Sequence, residues 1–504
     1  VGGGIAGLAA GIYAQQNGYK ATIFEMGHSA GGQLTAWRRD DYVFDFCLQW
    51  LVGSDRGLYN QVFKEIGAIQ EHTEVVNHSV FQKMVDDSGV YGEFYLYSDA
   101  DRLENYLREI APEDSVGIHK LTTMIKNVSG AIIEHQNPPG DRSVVETVRF
   151  MIHNWKIIPA MIRYGNKSSK EMLDSLRIRN KKIRFFLDRM AFETGKEDLF
   201  PAFSLLFVMG LQHAQNAGYL KGGSGQMRDR VVDTFTNKLH GTIKYQSKVR
   251  KIIVDESGTA RGVQLEDGTR HLADHVVTAC DLHTVLYEML DGKYLAPEYK
   301  TAFDEWATFT PMVMVGFGVD QLINSDCHDT QYFSPKEKPW KIGRTLVDCF
   351  DIMNRTVYDK SLAPEGKTTL LMSFFSPWNL WEKMSFKSPE YDQEKEQIQK
   401  ASLALLEKQY PGVSEHVEVV SVATPLTEAE FTGVWKAAYE GFIPYNHTWN
   451  KELPMELDGL HNFTMTGQWL MPGGGLPPSA LSGRWAIQKV AKKDRKKFKH
   501  YITS

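Results

Sequence analysis

Residues 1–7 read V-G-G-G-I-A-G, which is the spacing G-x-G-x-x-G, and the helix-compatible residues 8–17 follow at once. This order predicts a strand end, a tight turn and a helix, the arrangement in which many proteins bind a dinucleotide. The first glycine permits the turn, the second lets the backbone approach a pyrophosphate, and the third lets the helix lie close to the strand. The helix N-terminus attracts the phosphate charge. The residues expected at this turn are Gly2, Gly4, Ile5, Ala6 and Gly7.

An acidic residue stands at the position that a dinucleotide fold reserves for one. Residues 21–24 read A-T-I-F and predict a short buried strand, and Glu25 follows that strand directly. Glu25 lies 18 residues beyond Gly7 (25 minus 7), where an acid accepts hydrogen bonds from a ribose diol. Because strand, helix and acid are in register, a dinucleotide site is favoured over a glycine-rich turn beside a surface glutamate.

The next segment indicates which nucleotide is bound. Residues 31–34 read G-G-Q-L, and residues 42–45 read Y-V-F-D as a predicted strand before Trp50 and Gly53. This run resembles the second signature of the FAD-dependent amine oxidase and phytoene desaturase superfamily. In that superfamily the paired glycines turn the chain beside the ribityl and pyrophosphate groups, so the resemblance implies FAD as the cofactor.

The sequence departs from that signature at three positions. It has Gln33 where the superfamily usually has Arg, and Phe46 and Cys47 near the place where a Gly is common. The departures leave the FAD assignment standing, but they put the electrostatic contact of the usual Arg in question. A flavin-binding carrier without catalysis therefore remains an alternative.

A second glycine-rich segment lies near the C-terminus. Residues 462–469 read N-F-T-M-T-G-Q-W, residues 472–475 read P-G-G-G, and residues 479–490 are helix-compatible. The backbone N–H groups of such a loop suit the pyrimidine end of a flavin, where negative charge develops on reduction. The order of strand, P-G-G-G and helix resembles the phytoene desaturase branch, which includes carotene isomerases and retinol saturases. A glycine-rich turn without a ligand is the alternative.

The middle of the chain also resembles this superfamily, but less specifically than the two ends do. A predicted helix, residues 227–239, precedes four predicted strands at residues 243–245, 249–254, 262–265 and 275–279. The resemblance implies that Val249 meets the adenine, although a plain core residue of the strand explains it as well. The further residues expected to bind FAD are Glu25, Met26, Gly31, Gly32, Gln33, Trp50, Val249, Gly467, Gly474, Gly475 and Leu476.

The spacing of these motifs predicts an α/β fold in which a Rossmann-like FAD-binding domain is assembled from distant segments. At 504 residues the chain exceeds what one core usually supports. The FAD-binding domain is expected at residues 1–75, 215–290 and 455–490. A substrate or lid domain of mixed sheet and helices is expected at residues 76–214 and 291–454, and a basic tail at 491–504. Two apolar runs, residues 310–319 and 368–375, predict strands of a sheet that roofs the flavin, although plain core strands explain these runs equally well.

Composition excludes several classes of function. A formal net charge of -5 argues against a nucleic-acid binder, which needs a basic footprint. The four cysteines are scattered, so neither a metal site nor a disulfide framework is expected, and a reducing, cytoplasmic location fits. No apolar run reaches the roughly 18 to 20 residues of a membrane-spanning helix. Because the numbering starts at Val1, a preceding signal peptide stays open.

Residues 148–191 predict a helical stretch in which apolar and basic side chains alternate. Such a surface suits an anionic membrane that delivers a lipidic substrate, but charge runs are also common on solvated helix faces. A second candidate for this contact consists of the C-terminal cations Lys492, Lys493, Arg495, Lys496, Lys497 and Lys499.

The favoured hypothesis is an enzyme that inserts, removes or relocates a carbon–carbon double bond in a long apolar isoprenoid or fatty acid. Flavin N5 carries the hydride chemistry, so no catalytic triad is needed, and the electron partner stays unknown. A flavin amine oxidase is the alternative enzyme. Candidates for the reacting pocket are His213, Tyr219 and Trp469, together with Trp378, Trp435 and Tyr439, although residues of these types more often serve packing than chemistry.

Overall fold

The computed structural model describes residues 1–131, 135–189, 201–335, 337–445 and 448–503, and their elements form an α/β fold. The strands are β1 Thr22–Phe24, β2 Ala36–Arg39, β3 Tyr42–Asp45, β4 Leu51–Val52, β5 Val75–Val76, β6 Val80–Asp86, β7 Glu93–Tyr97, β8 Ala217–Leu220, β9 Thr242–Lys244, β10 Val249–Val254, β11 Ala260–Leu265, β12 Arg270–Leu272, β13 Val276–Thr278, β14 Met312–Val319, β15 Asp329–Phe333, β16 Trp340–Ile342, β17 Thr345–Val347, β18 Cys349–Met353, β19 Thr368–Phe375, β20 Val417–Ala423 and β21 Phe463–Met465. The helices are α1 Ile5–Gln16, α2 Gly57–Glu65, α3 Ala100–Ile110, α4 Ser115–Val128, α5 Val144–His153, α6 Ile158–Tyr164, α7 Ser169–Leu176, α8 Lys181–Leu187, α9 Ala202–His213, α10 Gly223–Asp233, α11 Leu282–Thr284, α12 Pro297–Glu305, α13 Pro389–Gln409, α14 Pro425–Thr432 and α15 Leu476–Lys493.

A parallel layer joins the two ends of the chain through its middle. Strand β1 pairs in parallel with β9, and β13 pairs in parallel with β21. Residues 1–2 lie between these pairs, since the Gly2 N–H donates to the Phe24 carbonyl (2.9 Å) and the Ala279 N–H donates to the Val1 carbonyl (2.8 Å). The resulting order is β9, β1, residues 1–2, β13 and β21, so the layer needs segments more than 400 residues apart.

Helix α1 is buried on nearly all sides because its sequence, IAGLAAGIYAQQ, is apolar all round. Gly7 faces the strand end so closely that an added Cβ would lie 2.0 Å from the Gly2 carbonyl oxygen. On its other side α1 packs against α15, where a Cβ at Gly483 would lie 2.4 Å from the Ala6 oxygen. The third glycine of the motif therefore has the packing role that its spacing predicts.

A seven-stranded sheet covers this layer in the order β20, β14, β19, β18, β15, β6 and β7. All neighbours are antiparallel except β15 and β6. Alternate residues such as Val313 and Val315 point away from the layer into a core that includes Ile398 of α13. On the opposite face the Phe44 ring of β3 lies against Gly316 of β14. The two strands predicted at residues 310–319 and 368–375 are thus confirmed as β14 and β19.

The helical stretch predicted at residues 148–191 consists of several short helices in the described part of that range. Four separate helices, α5 to α8, occupy residues 144–187, and the predicted stretch ends at residues 190–191, which lie outside the described part. Helix α6 begins anew with Pro159 in its first turn, and α7 ends at Arg177, whose φ of 60° is left-handed. Proline and a left-handed backbone each end a helix, which explains the breaks.

The predicted basic tail also differs from expectation. Helix α15 continues to Lys493, three residues into the segment 491–504. Beyond it, the Lys499 N–H donates to the Asn17 side chain (2.7 Å), and the Phe498 ring lies 5.8 Å from the Tyr13 ring. The described C-terminal residues therefore pack along the end of α1. Separately, none of the helices in the described ranges combines the length and apolarity that crossing a membrane requires.

Candidate functional site

A cavity of about 1540 Å³ lies between the parallel layer and the seven-stranded sheet. Both glycine-rich loops line it, residues 1–6 from one end of the chain and residues 467–469 and 471–479 from the other. The remaining wall is largely apolar and aromatic. The larger of these side chains are Trp50, Phe150, Met161, Phe203, Phe207, Phe309, Met312 and Phe375.

The first loop presents a helix N-terminus and a fixed carboxylate to this cavity. Gly4 caps α1 without a side-chain hydrogen bond, which leaves the positive end of the helix dipole to a ligand. The Glu25 carboxylate is 7% exposed and accepts hydrogen bonds from Gly3 N–H and Gly27 N–H, both at 2.7 Å. These two donors hold Glu25 at the end of β1, where it can still accept from a diol.

The second loop presents another helix N-terminus. Gly475 caps α15 with a φ of 87°, and residues 477–478 are prolines, which have no N–H. Gly467 has a φ of 119°, and an added Cβ there would meet no atom within 4 Å. Two helix N-termini without side-chain caps and an open glycine turn therefore form a cradle that fits an extended anionic dinucleotide.

Two buried acids stand beside this cradle. The Glu440 carboxyl lies against Gly475, 3.1 Å from where a Cβ would be, and burial raises its pKa to about 7. Glu428 of α14 accepts a 2.6 Å hydrogen bond from the Gln33 amide, and burial raises the Glu428 pKa to about 8. Gln33 thus pairs with an acid that stays protonated at neutral pH. A cation at position 33 would instead favour the ionised acid.

Fifteen of the sixteen predicted cofactor residues line the cavity. Gly7 does not, since it packs under the turn. Their contact with a flavin stays a prediction. The fifteen are Gly2, Gly4, Ile5, Ala6, Glu25, Met26, Gly31, Gly32, Gln33, Trp50, Val249, Gly467, Gly474, Gly475 and Leu476.

Of the six candidates for the reacting pocket, only Trp469 and Tyr439 line the cavity. The other four are engaged elsewhere. His213 accepts from the Ala100 N–H at the start of α3 (3.1 Å), and Tyr219 donates to Asp359 (3.0 Å). Trp435 stacks on His283, and Trp378 packs against the core behind the seven-stranded sheet.

The sequence interpretation missed a set of polar residues on the roof of the cavity. Gln82, Gln331, Asp351 and Ser373 come from four strands of the seven-stranded sheet. Their only local signal is a polar residue inside a β-prone run, as in C-F-D-I-M at residues 349–353. No group of three or more His, Cys, Asp or Glu side chains is placed to hold a metal ion anywhere in the described ranges.

The fold and the cradle are those of a flavin-dependent oxidoreductase. Residues 5–490 match the family described as flavin containing amine oxidoreductase, and the chain belongs to that family. It is accordingly a flavin enzyme, and its relatives place it in the branch of phytoene desaturases and carotene isomerases.

Two relatives illustrate this branch. The prolycopene isomerase of Daucus carota is 23% identical, over 97% of this chain and 79% of its own length. The 4,4'-diapophytoene desaturase (4,4'-diapolycopene-forming) of Methylomonas sp is 23% identical, over 99% of this chain and 96% of its own. Among solved structures, an oxidoreductase from Methanosarcina mazei superimposes with a TM-score of 0.63 at 14% identity, covering 97% of this chain and 98% of that one. This last likeness concerns the fold alone.

Proposed function

We propose that the chain binds FAD in this cleft and inserts, removes or relocates a carbon–carbon double bond in a long apolar substrate, such as a carotenoid, another isoprenoid or a fatty acid. The observation that carries the proposal is one continuous cavity that extends from both glycine loops to an apolar wall. Its volume of about 1540 Å³ exceeds the roughly 300–1,000 Å³ typical of a pocket for one ligand. It therefore has room for a dinucleotide and a second molecule.

The polar end of the cavity would hold the cofactor. Glu25 would accept from the ribose diol, Val249 would border the adenine, and the N-terminus of α1 would face the pyrophosphate. The N-terminus of α15, at Gly475, would face the pyrimidine end. Bound there, a flavin supplies hydride transfer at N5.

The apolar end would hold the substrate and exclude water. Side chains such as Met161, Phe203 and Phe207 offer a long polyene or acyl chain contacts without polar groups to desolvate. The names of the relatives, an isomerase and a desaturase of carotenoid-type compounds, support this substrate class. Desaturation, saturation and redox-neutral isomerisation all use this arrangement, so the product identifies the reaction.

The test starts with protein purified anaerobically in the presence of added FAD. We expect a flavin absorption spectrum and FAD in the mass spectrum of the denatured protein, together with a changed double-bond pattern after incubation with poly-cis lycopene or phytoene under reducing or oxidising conditions. Protein without FAD refutes the proposal. Peroxide release with small amines, in the absence of any polyene product, favours an amine oxidase instead.

We also propose that an anionic membrane surface delivers the substrate through helices α5 and α6. No residue of α5 is buried, and Val144, Ile152 and Trp155 are 81%, 67% and 66% exposed. On the same two helices, Phe150 and Met161 line the cavity. Apolar side chains toward lipid and basic neighbours such as Lys156 are what interfacial binding requires.

Sedimentation with liposomes tests this second proposal. We expect the FAD-loaded protein to pellet with vesicles containing phosphatidylglycerol, and to do so less as salt rises, because screening weakens attraction to anionic lipids. An equal amount of pelleted protein with and without vesicles would contradict the membrane proposal and leave the FAD proposal untouched.

A further inference from the structure

Four polar side chains form a row on the cavity face of the seven-stranded sheet. Gln82, Gln331, Asp351 and Ser373 belong to the neighbouring strands β6, β15, β18 and β19, and all four line the cavity. Gln331 lies directly opposite Asp351, and Asp351 lies directly opposite Ser373. Opposite residues of antiparallel strands have Cβ atoms about 4.5–5.5 Å apart, so these three side chains reach one point in the cavity. We call these four residues the polar row.

Gln331 has an unmet hydrogen-bonding capacity. Its side chain is buried, with the residue 6% exposed, and its Oε1 has no hydrogen-bond partner among the described residues. Beside it, Asp351 Oδ2 accepts from the Ser373 hydroxyl at 3.3 Å. Leaving a buried polar atom unpaired costs about 1–3 kcal/mol, whereas pairing it recovers that cost. A pure hydrocarbon seated against the polar row would leave Gln331 unpaired.

Acids and guanidinium groups lie close together in this region. Burial raises the pKa of the Cys349 thiol, Asp351 and Asp348 add to that rise, and Arg189 opposes it. Burial raises the pKa of the Asp329 carboxyl, and both the hydrogen bond from Gln82 (2.9 Å) and the guanidinium of Arg355, which is 5% exposed, oppose that rise. Arg355 also lies 3.9 Å from the Asp45 carboxylate, so the charges of this region do not by themselves select the ligand. A hydroxyl can accept from the Gln331 amide, whereas an ammonium group has no lone pair with which to accept.

We infer that the polar row binds a hydroxyl group, so that the substrate is a long apolar chain carrying an alcohol. A hydroxyl donates one hydrogen bond and accepts two, so it can donate to Gln331 Oε1 or, with the amide in the opposite orientation, accept from Gln331 Nε2 while it donates to Asp351. Binding one end of the chain in this way fixes which double bond lies at the cofactor. This inference rests on the proposed function, because it concerns the same cavity.

A competition experiment on the FAD-loaded protein tests it. Equal amounts of geranylgeraniol, its methyl ether, the amine and the hydrocarbon with hydrogen in place of the hydroxyl are added together; unbound ligand is removed by gel filtration, and the bound ligands are extracted and quantified. We expect the alcohol to be retained at least about 10-fold over the ether and the hydrocarbon, since a hydrogen bond to a charged group contributes about 1.5–3 kcal/mol. Equal retention of alcohol and hydrocarbon, no retention of any ligand, or strongest retention of the amine overturns the inference.

Variants locate the effect. Gln331→Leu, and the similarly sized Gln331→Met, should reduce the preference for the alcohol to within about 2-fold without weakening retention of the hydrocarbon. Thr330→Val is the matched control, because Thr330 is buried, neighbours Gln331 on β15 and points to the other face of the sheet. A Gln331 variant that keeps the full preference refutes the inference.

The same preparation separates this inference from the proposed function. A protein that contains FAD and converts a hydrocarbon polyene, yet shows no preference for the alcohol, refutes the polar row alone. A protein without FAD refutes the proposed function. In that case the ratio of retained alcohol to retained hydrocarbon still tests the polar row, because this ratio does not depend on turnover.

Discussion

The Gln33 amide donates a 2.6 Å hydrogen bond to Glu428 Oε1, and this bond joins the glycine pair after β1 to a helix 395 residues later. It places a neutral amide where related sequences usually carry a guanidinium. Burial raises the pKa of Glu428 to about 8, so this carboxyl group is protonated at neutral pH. The departure from the family pattern at Gln33 is therefore matched by a partner that carries no charge at neutral pH.

Stability should consequently fall as the pH rises. The folded protein retains the Glu428 proton up to about pH 8, while the unfolded chain releases it near its usual pKa of 4.5. The free energy of unfolding should therefore decrease between these values, by up to about 1.4 kcal/mol per pH unit. Urea denaturation of wild type and Glu428→Gln at several pH values measures this. Glu428→Gln should flatten the dependence, and Glu430→Gln, an exposed position on the same helix, should not. Parallel curves for wild type and Glu428→Gln would contradict the prediction.

Gly7→Ala should disrupt the first turn. The added Cβ would lie 2.0 Å from the Gly2 carbonyl oxygen, so either helix α1 or the turn must move. Overpacking of this kind costs about 1–3 kcal/mol, and the displaced turn should bind flavin at least about 10-fold more weakly. Thermal unfolding and flavin dissociation measure the two effects. Gly130→Ala, whose Cβ would meet no atom within 4 Å, is the control. Unchanged flavin affinity in Gly7→Ala would show that the turn does not carry the cofactor.

Glu440→Gln should alter the redox behaviour of a bound flavin. Glu440 lies beside Gly475, and burial raises its pKa to about 7. Above that pH its carboxylate places negative charge near the expected pyrimidine end and disfavours reduction. We expect the midpoint potential to fall more steeply with pH above 7 in wild type than in Glu440→Gln, as measured by dye-coupled spectroscopic titration. Identical slopes would indicate that Glu440 lies outside the influence of the flavin.

Ile152→Asp should weaken vesicle binding. Ile152 is 67% exposed on α5, and burying such a side chain in the interface contributes about 1.5–3 kcal/mol. The variant should sediment with anionic vesicles at least about 10-fold less than wild type. Leu346→Asp is the matched control, since Leu346 is 69% exposed on β17. An equal loss of vesicle binding in Ile152→Asp and Leu346→Asp would mean that the added negative charge, and not the loss of the Ile152 side chain, weakens binding.

The sequence was sufficient to predict the two ends of the cavity, because each is coded by glycines at short spacing. The turn before α1, the acid at Glu25 and the loop before α15 all depend on local backbone requirements. The helical stretch predicted at residues 148–191 is helical in its described part, but the prediction did not give the breaks at Pro159 and Arg177 that divide it into separate helices.

Contacts between residues that are far apart in the chain could not be predicted from local sequence patterns. The polar row depends on the register between β6, β15, β18 and β19, which no spacing within one strand reveals. The partner of Gln33 is likewise set by the placement of α14. Tyr219 and His213 were candidates by residue type, yet hydrogen bonds to Asp359 and to the α3 backbone engage them away from the cavity.

The parallel layer, with residues 1–2 between β1 and β13 and with β21 at its edge, has a consequence for biosynthesis. On the ribosome, α1 emerges more than 450 residues before α15, the helix that covers it. The apolar surface of α1 therefore stays uncovered until α15 has been synthesised, and a nascent chain with such an exposed helix is prone to aggregation. The parallel layer is therefore expected to form only after α15 has been synthesised, and chaperones that hold apolar segments are expected to bind α1 until then.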